Sequence, residues 1–283
     1  MLYYVASDLH LEYYGDDLSK FESRLKSEIE GNTEVVGAAG TNEPRALFLC
    51  GDIGYPWDPI YEKFLKLCSD NFDQVYVVAG NHEYYSVMSQ PEINTIDDID
   101  CQIGLIVAKY HNVCYLRDSY HVDHENHVIV YGCTLWSNVK TDKKMINDFK
   151  YIYAKKDKKI EIADYQKMHR DCVDKLKGSL EEIGKFRADH SDYELVVMTH
   201  HLPTYDLVTP KYRGHPINEF FASDLDWLIE ESNRSDEATI SYWFCGHTHS
   251  HMEADVAGTK CIVYPQGYPG ENDVMKLFKV VTP

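Results

Sequence analysis

Positive charge is scarce in this chain. Lys and Arg number 28 against 46 Asp and Glu, a formal net charge of −18. That balance counts against an extended nucleic-acid or anionic-membrane surface. A small anionic substrate stays open, because bound divalent cations reverse the local field. CxxC pairs are missing as well. The eight cysteines stand at 50, 68, 101, 114, 133, 172, 245 and 261, several inside apolar runs. They read as free thiols in a reducing compartment, rather than a disulfide framework or a zinc knuckle. No stretch approaches the ~20 apolar residues of a membrane helix. Met1 to Ala6 lacks the basic start and the length of a signal peptide, so a cytoplasmic location and no membrane contact are expected. Repeats, low-complexity runs and convincing linkers are also lacking. With 283 residues, a single domain over 1–283 is expected.

What is present is a run of short apolar segments, each ending in polar residues. Leu2 to Ser7 reads as a strand ending at Asp8-Leu9-His10. Residues 16–31 carry apolar positions at 18, 21, 25 and 29, which predicts an amphipathic helix stopped by Gly31. Residues 32–44 read as a polar loop. Arg45 to Cys50 predicts a second buried strand, Asp58 to Phe72 a helix, and Gln74 to Ala79 a third strand ending at Gly80-Asn81-His82-Glu83. Helices are expected over 97–111, 160–187 and 223–231, the last capped by Ser223. Strands are expected over 113–116, 127–135, 194–198 and 239–245, with a strand series from Ala257 to Val281. Strands alternating with helices indicate an α/β fold.

Five strand ends carry matching polar clusters: Asp8/His10, Asp52, Asn81/His82, His200/His201 and His247/His249. Ligands of open α/β sheets bind at the carboxyl ends of strands, where all five clusters sit. Carboxylate, amide and imidazole suit Mn, Fe or Zn rather than Ca. Seven ligand candidates exceed the needs of one ion and fit two that share a carboxylate. Two metals ~3.5–4 Å apart would clamp a phosphoryl group and lower the pKa of a shared water.

Asp8-X-His10, Gly51-Asp52, Gly80-Asn81-His82-Glu83, His200 and Gly246-His247-X-His249, in this order, resemble the motifs of the calcineurin-like metallophosphoesterases. Similar stretches are Ser7 to Glu12, Gly132-Cys-Thr-Leu-Trp136, Asn147-Asp-Phe149 and Thr199 to Pro203. The resemblance implies a four-layer αββα sandwich with two mixed sheets. It implies one divalent ion held by Asp8, His10 and His249, a second by Asn81, His200 and His247, and Asp52 bridging them. The metals would be Mn2+, Fe2+/Fe3+ or Zn2+. His82 would protonate the leaving group, with Glu83 orienting it. The implied activity is hydrolysis of phosphate mono- or diesters of a small phosphorylated substrate, by attack of a metal-bridging hydroxide. The alternatives are a non-catalytic scaffold or protein-interaction module on this fold, and a metal-dependent hydrolase of other esters. Gly51-Asp52-Ile-Gly-Tyr55 lacks the longer Gly-Asp-X-Val-Asp-Arg-Gly signature of protein Ser/Thr phosphatases. Gln266 stands where relatives often carry an arginine, which weakens a phosphate clamp there.

Other polar residues stay open between function and structure. His201 would touch substrate or lie behind a ligand. Asn147 and Asp148 would line the pocket or start a helix. Arg213 and His215 would form part of a lid in the 205–221 loop. His251 reads as solvated or behind a ligand, and His121, His124 and His127 as a polar hairpin between two strands rather than a metal patch. The Lys-rich stretch 140–159 reads as surface.

Overall fold

The computed structural model describes residues 1–30, 43–87, 92–140, 146–272 and 277–280. Five strands form one sheet: β1 (Leu2–Ala6), β2 (Arg45–Cys50), β3 (Gln74–Val78), β4 (Val113–Tyr115) and β13 (Phe278–Val280). Their order is β13-β1-β2-β3-β4, with β13 alone antiparallel. Six strands form the other: β5 (Ser119–Asp123), β6 (Val128–Cys133), β9 (Glu194–Thr199), β10 (Tyr242–Cys245), β11 (Met252–Val256) and β12 (Thr259–Val263). Here the order is β11-β12-β10-β9-β6-β5, with both edge strands antiparallel. A small hairpin pairs β7 (Tyr153–Lys155) with β8 (Lys158–Lys159).

Strand periodicity explains why the two sheets stack. Tyr3 and Val5 of β1, Ala46 and Phe48 of β2, Val196 and Met198 of β9, and Tyr242 and Phe244 of β10 point between the sheets and form one core. The intervening Tyr4, Leu47, Leu49, Val197 and Trp243 point outward beneath the helices. Both faces being covered, these parallel strands are nearly continuous apolar runs.

Helices close the outer layers. α2 (Pro59–Asn71) is opened by the Asp58 side chain, which accepts from Ile60 N, and by Pro59 in the first turn. It buries Ile60, Tyr61, Phe64, Leu65 and Cys68, the i, i+3, i+4 stripe of an amphipathic helix. α1 (Ser19–Glu30) packs Phe21 on Phe64. α3 (Ile96–Val107) starts at a Thr95–Asp98 capping box. On the opposite side α5 (Ile162–Asp189) buries Tyr165, His169, Cys172, Leu176, Leu180 and Ile183, and α6 (Asp226–Ser232) lies near β11. Short α4 (Asp148–Tyr151) stands at the mouth of the site. The layers are therefore helix, sheet, sheet, helix, as the resemblance implied.

Some expectations shift. The helix expected to be capped by Ser223 begins at Asp226 after Leu225. Ala222 is bridged to Leu202, and Ser223 N donates to Leu202 O, so this backbone is tied to the end of β9 instead of starting a turn. Edge strands β5 and β11 escape detection, since Ser-Tyr-His-Val-Asp and Met-Glu-Ala-Asp-Val mix polar and apolar residues. The region 257–258, expected as strand, is the turn between β11 and β12. Gly31, the loop through 42, residues 141–145 of the basic stretch, and 273–276 and 281–283 of the tail lie outside the described residues. No helix among the described residues is long and apolar enough to cross a membrane.

Candidate metal centre

The strand ends of both sheets converge through unusually bent backbone. Asp8, His10, Asp52, His247 and His249 all adopt left-handed φ values between 49° and 74°. For side-chain-bearing residues this conformation costs about 1–2 kcal/mol each, so the surroundings must impose it. They do so by lacing the loops together. Asp8 N donates to Gly51 O, His10 N to Asp52 O and Leu11 N to Ile53 O, while His247 N donates to both Asp8 carboxylate oxygens at 3.0 Å. Gly80 is needed for space rather than for its turn. A Cβ there would stand 2.2 Å from Asp52 Oδ1, and the φ angle of Gly80 is not in the left-handed region.

Four imidazoles direct their N–H groups away from the centre. His10 Nδ1 lies 3.0 Å from Glu12 Oε1, and His249 Nδ1 lies 2.7 Å from Glu271 Oε2. His200 Nδ1 lies 2.9 Å from the Cys50 carbonyl, and His247 Nε2 lies 3.2 Å from the Phe220 carbonyl. Carbonyl and carboxylate oxygens only accept, so these nitrogens carry the protons. The remaining ring nitrogens present lone pairs to one another. His10 Nε2 meets His249 Nε2 at 3.1 Å. His200 Nε2 meets both His247 Nδ1 and Asn81 Oδ1 at 3.0 Å. Asn81 is held oxygen-inward because its Nδ2 donates to the Tyr85 hydroxyl and to Asp148 Oδ1. Asp8 Oδ1 is 3.5 Å from His249 Nε2, and Asp52 Oδ2 is 3.4 Å from His200 Nε2.

Acceptors packed this way repel unless a proton or a cation stands among them. Two such groups form, Asp8/His10/His249 and Asp52/His200/His247, each with donor atoms within 4.8 Å of one another. Asp52 also comes within that distance of His10 and His82, so it lies between the groups. Imidazole, carboxylate and amide are the donor set of Mn, Fe or Zn, and these residues fit two divalent ions.

Without ions, protons take up part of the strain. Burial opposes charging His200, but the Asp52 carboxylate outweighs it and raises His200 to about 10. Burial opposes the Asp52 charge in turn, while His200 and His82 hold its carboxyl well below the usual range. Burial, then the neighbouring His201 and His200, push His247 well down. Burial opposes charging His10 too, but the Glu12 hydrogen bond and the Asp52, Glu12 and Asp8 carboxylates raise it, so protons stand in for cations in both groups.

A cavity of about 460 Å³ opens beside this centre. One wall is Asp52, Asn81, His82, His247 and His249. The other is largely apolar, with Ile146, Val208, Ile217, Phe220 and Phe221; Tyr85, Tyr212 and Tyr268 line it as well. No Lys or Arg lines it among the described residues.

All seven ligand candidates and His82 thus surround one cavity or lie directly beneath it. Glu83 does not orient His82. Its carboxylate accepts from Asp52 N at 3.0 Å, Ile53 N at 2.7 Å and Gly80 N at 2.8 Å. The cause is the 3-10 turn His82–Tyr84, in which adjacent side chains diverge by about 120°. Asn147 and Asp148 both line the cavity. Asp148 accepts from Asn81, Tyr85 and Tyr165.

His201 is fully buried behind the centre. Its Nδ1 faces Thr134 O and its Nε2 faces the Tyr165 hydroxyl. Burial, then charge at His200, lowers its pKa to about 3. Arg213 turns back to the carbonyls of Val208 and Asp206, so neither it nor His215 lines the cavity. Gln266 Nε2 donates to Leu9 O and the Tyr14 hydroxyl, bracing the Asp8 loop from behind. His251 sits beside Glu253. His121 lies in β5, while His124 and His127 occupy the turn to β6.

Glu12, Glu271, Tyr165 and Tyr268 were missed. Only Glu12 left a signal, standing two residues from His10 within Ser7 to Glu12.

A fold of two mixed sheets between helices, with metal-fitting clusters on the strand ends, defines a metallophosphoesterase. The family model of calcineurin-like phosphoesterases matches residues 1–251, and the chain belongs to that family. Its members are generally phosphoric ester hydrolases and typically bind two divalent metal ions. An uncharacterised protein of Acanthamoeba polyphaga mimivirus is 31% identical over 260 residues, covering 86% of this chain and 83% of the relative. Phosphopantetheinyl hydrolase from Mycobacterium tuberculosis matches 99% of this chain and 96% of its own, with a TM-score of 0.69 at 15% identity. A Thermus thermophilus protein matches 99% and 97%, with a TM-score of 0.51 at 11% identity. At those identities the structural likeness is one of fold.

Proposed function

We propose that this chain is a dinuclear metal-dependent phosphoesterase, organised as one catalytic domain over residues 1–283 in the cytoplasm. The inward-facing lone pairs of His10, His249, His200 and His247 carry the reading. Asp8, His10 and His249 would hold one divalent ion. Asn81, His200 and His247 would hold the other, with Asp52 shared. Bound there, divalent ions would neutralise phosphate oxygens and lower the pKa of a coordinated water. The chain's own contribution is placement. Asp8 and Asp52 accept backbone N–H bonds that fix their carboxylates. His82 lines the cavity, and with Nδ1 buried its Nε2 is left to protonate a leaving oxygen.

The apolar wall and the absence of lining cations among the described residues favour an ester with one phosphoryl group and an uncharged organic part. A phosphopantetheinyl ester, named for the fold neighbour, has that character and joins the substrate panel. Purified protein loaded with Mn2+ should bind two ions per chain and hydrolyse p-nitrophenyl phosphate or its bis-ester. Asp52→Asn and His82→Ala should each remove most of that rate, about 100-fold or more. Fewer than one bound ion per chain would favour a scaffold, and full activity in both variants would overturn the mechanism.

A further inference from the structure

We propose that Glu12 is the positioning residue for His82, and that one carboxylate orients both a metal-site imidazole and the proton donor. This rests on the phosphoesterase reading above. Glu12 lies in a 3-10 turn, Leu11–Tyr13, directly after His10. Its side chain is 9% exposed, and Oε1 stands 3.0 Å from His10 Nδ1 and 3.6 Å from His82 Nδ1. Glu12 Oε2 and His82 Nδ1 are both buried, and neither has a hydrogen-bond partner among the described residues. A buried unmatched acceptor and a buried unmatched imidazole nitrogen so close together are each costly, and each meets the other's need. A small rotation of the Glu12 carboxylate joins them. The adjacent carboxylate, Glu83, is already engaged by three backbone amides.

The arrangement has a chemical consequence. His10 and His82 meet edge to face with ring centroids 4.6 Å apart, both presenting Nδ1 toward Glu12. With Nδ1–H held there, His10 keeps its Nε2 lone pair for the Asp8/His249 group. His82 retains its Nδ1 proton and gives up the one on Nε2 to the departing alkoxide. The imidazolium becomes neutral imidazole and the leaving group departs as an alcohol, so the proton balance closes. Glu12 touches no reacting atom.

Kinetics, metal analysis and ring spectroscopy on Mn2+- or Zn2+-loaded protein test this. Glu12→Gln keeps the volume and one acceptor oxygen but loses the charge. The expected kcat loss is about 10- to 100-fold on phenyl phosphate, whose leaving group needs a proton. On 2,4-dinitrophenyl phosphate, whose leaving group needs none, the loss should be about 3-fold or less, with KM little changed on both. At saturating metal, bound metal should equal that of the unsubstituted chain, with affinity weakened where the hold on His10 is loosened. His82→Ala should show the same dependence on leaving group, and the double variant should be no slower than His82→Ala alone. In the Zn2+ form, the 15N shifts of the His82 ring should report an Nδ1–H tautomer that Glu12→Gln shifts. Equal losses on both esters or additive losses would overturn the proposal, leaving Glu12 as a support for His10 only. If the unsubstituted chain cleaves neither ester, the phosphoesterase reading fails by itself. The His82 shifts then still decide whether Glu12 holds that ring.

Discussion

Glu83 and Glu12 divide between them work that sequence adjacency assigns to Glu83 alone. Glu83 gathers three amide donors from two loops, so its loss is structural first. Glu83→Ala should leave three buried N–H groups without an acceptor and destabilise the chain by about 3 kcal/mol or more, measured as a lower urea midpoint in the metal-free protein. Gly80→Ala should act differently. Its Cβ would meet Asp52 Oδ1 at 2.2 Å, so the carboxylate must move, and bound metal per chain should fall. His201 supplies a pH test. Its folded pKa, lowered by burial to about 3, lies below the ordinary value of about 6.5. The unfolded chain therefore takes up the proton first as pH falls. The stability His201 contributes is present above pH 6.5 and lost progressively toward pH 3. His201→Gln should flatten that part of the curve of urea midpoint against pH, whatever it does to stability at neutrality.

At the scale of elements, legibility followed burial. Strands β1, β2, β3 and β9 are covered on both faces, so their apolar runs stood out. β5 and β11 are edges with one face wet, and their alternation resembled loop. The turn between β11 and β12 shows what such edges hide. Ala257 and Gly258 have φ of 49° and 90°, the pair of positive values that a type I′ hairpin requires. Glycine meets this without strain and alanine does not. Ala257 is exposed, so Ala257→Gly should stabilise the chain by about 1 kcal/mol. A melting temperature that falls on this substitution would contradict the turn assignment. The N-cap of α2 was legible because Asp58-Pro59 is a local signal. The start of α6 was not, because a bridge to Leu202, distant in sequence, decided it.

Across the whole molecule, the centre exists because two sheets aim their carboxyl ends at one place. The first sheet brings Asp8, His10, Asp52, Asn81 and His82; the second brings His200, His247 and His249. Ions bound between them would tie the sheets together, so chelation should lower the melting temperature by several degrees. An ion present at 100 times its dissociation constant contributes about 2.7 kcal/mol. The proton on His200 must leave when an ion enters, so loading should release acid into weakly buffered solution, and affinity should fall as pH drops below about 10. The sequence by itself determined the order of the motifs along the chain, the α/β class and the list of polar residues at strand ends, because these depend on local periodicity and residue type. Tertiary structure alone decided which nitrogen of each histidine faces inward and that Glu12 rather than Glu83 stands by His82. It also decided that an apolar wall, drawn from residues 146 to 221, faces the polar strand ends. Those outcomes depend on where distant carbonyls, carboxylates and rings come to rest, and no local pattern encodes that.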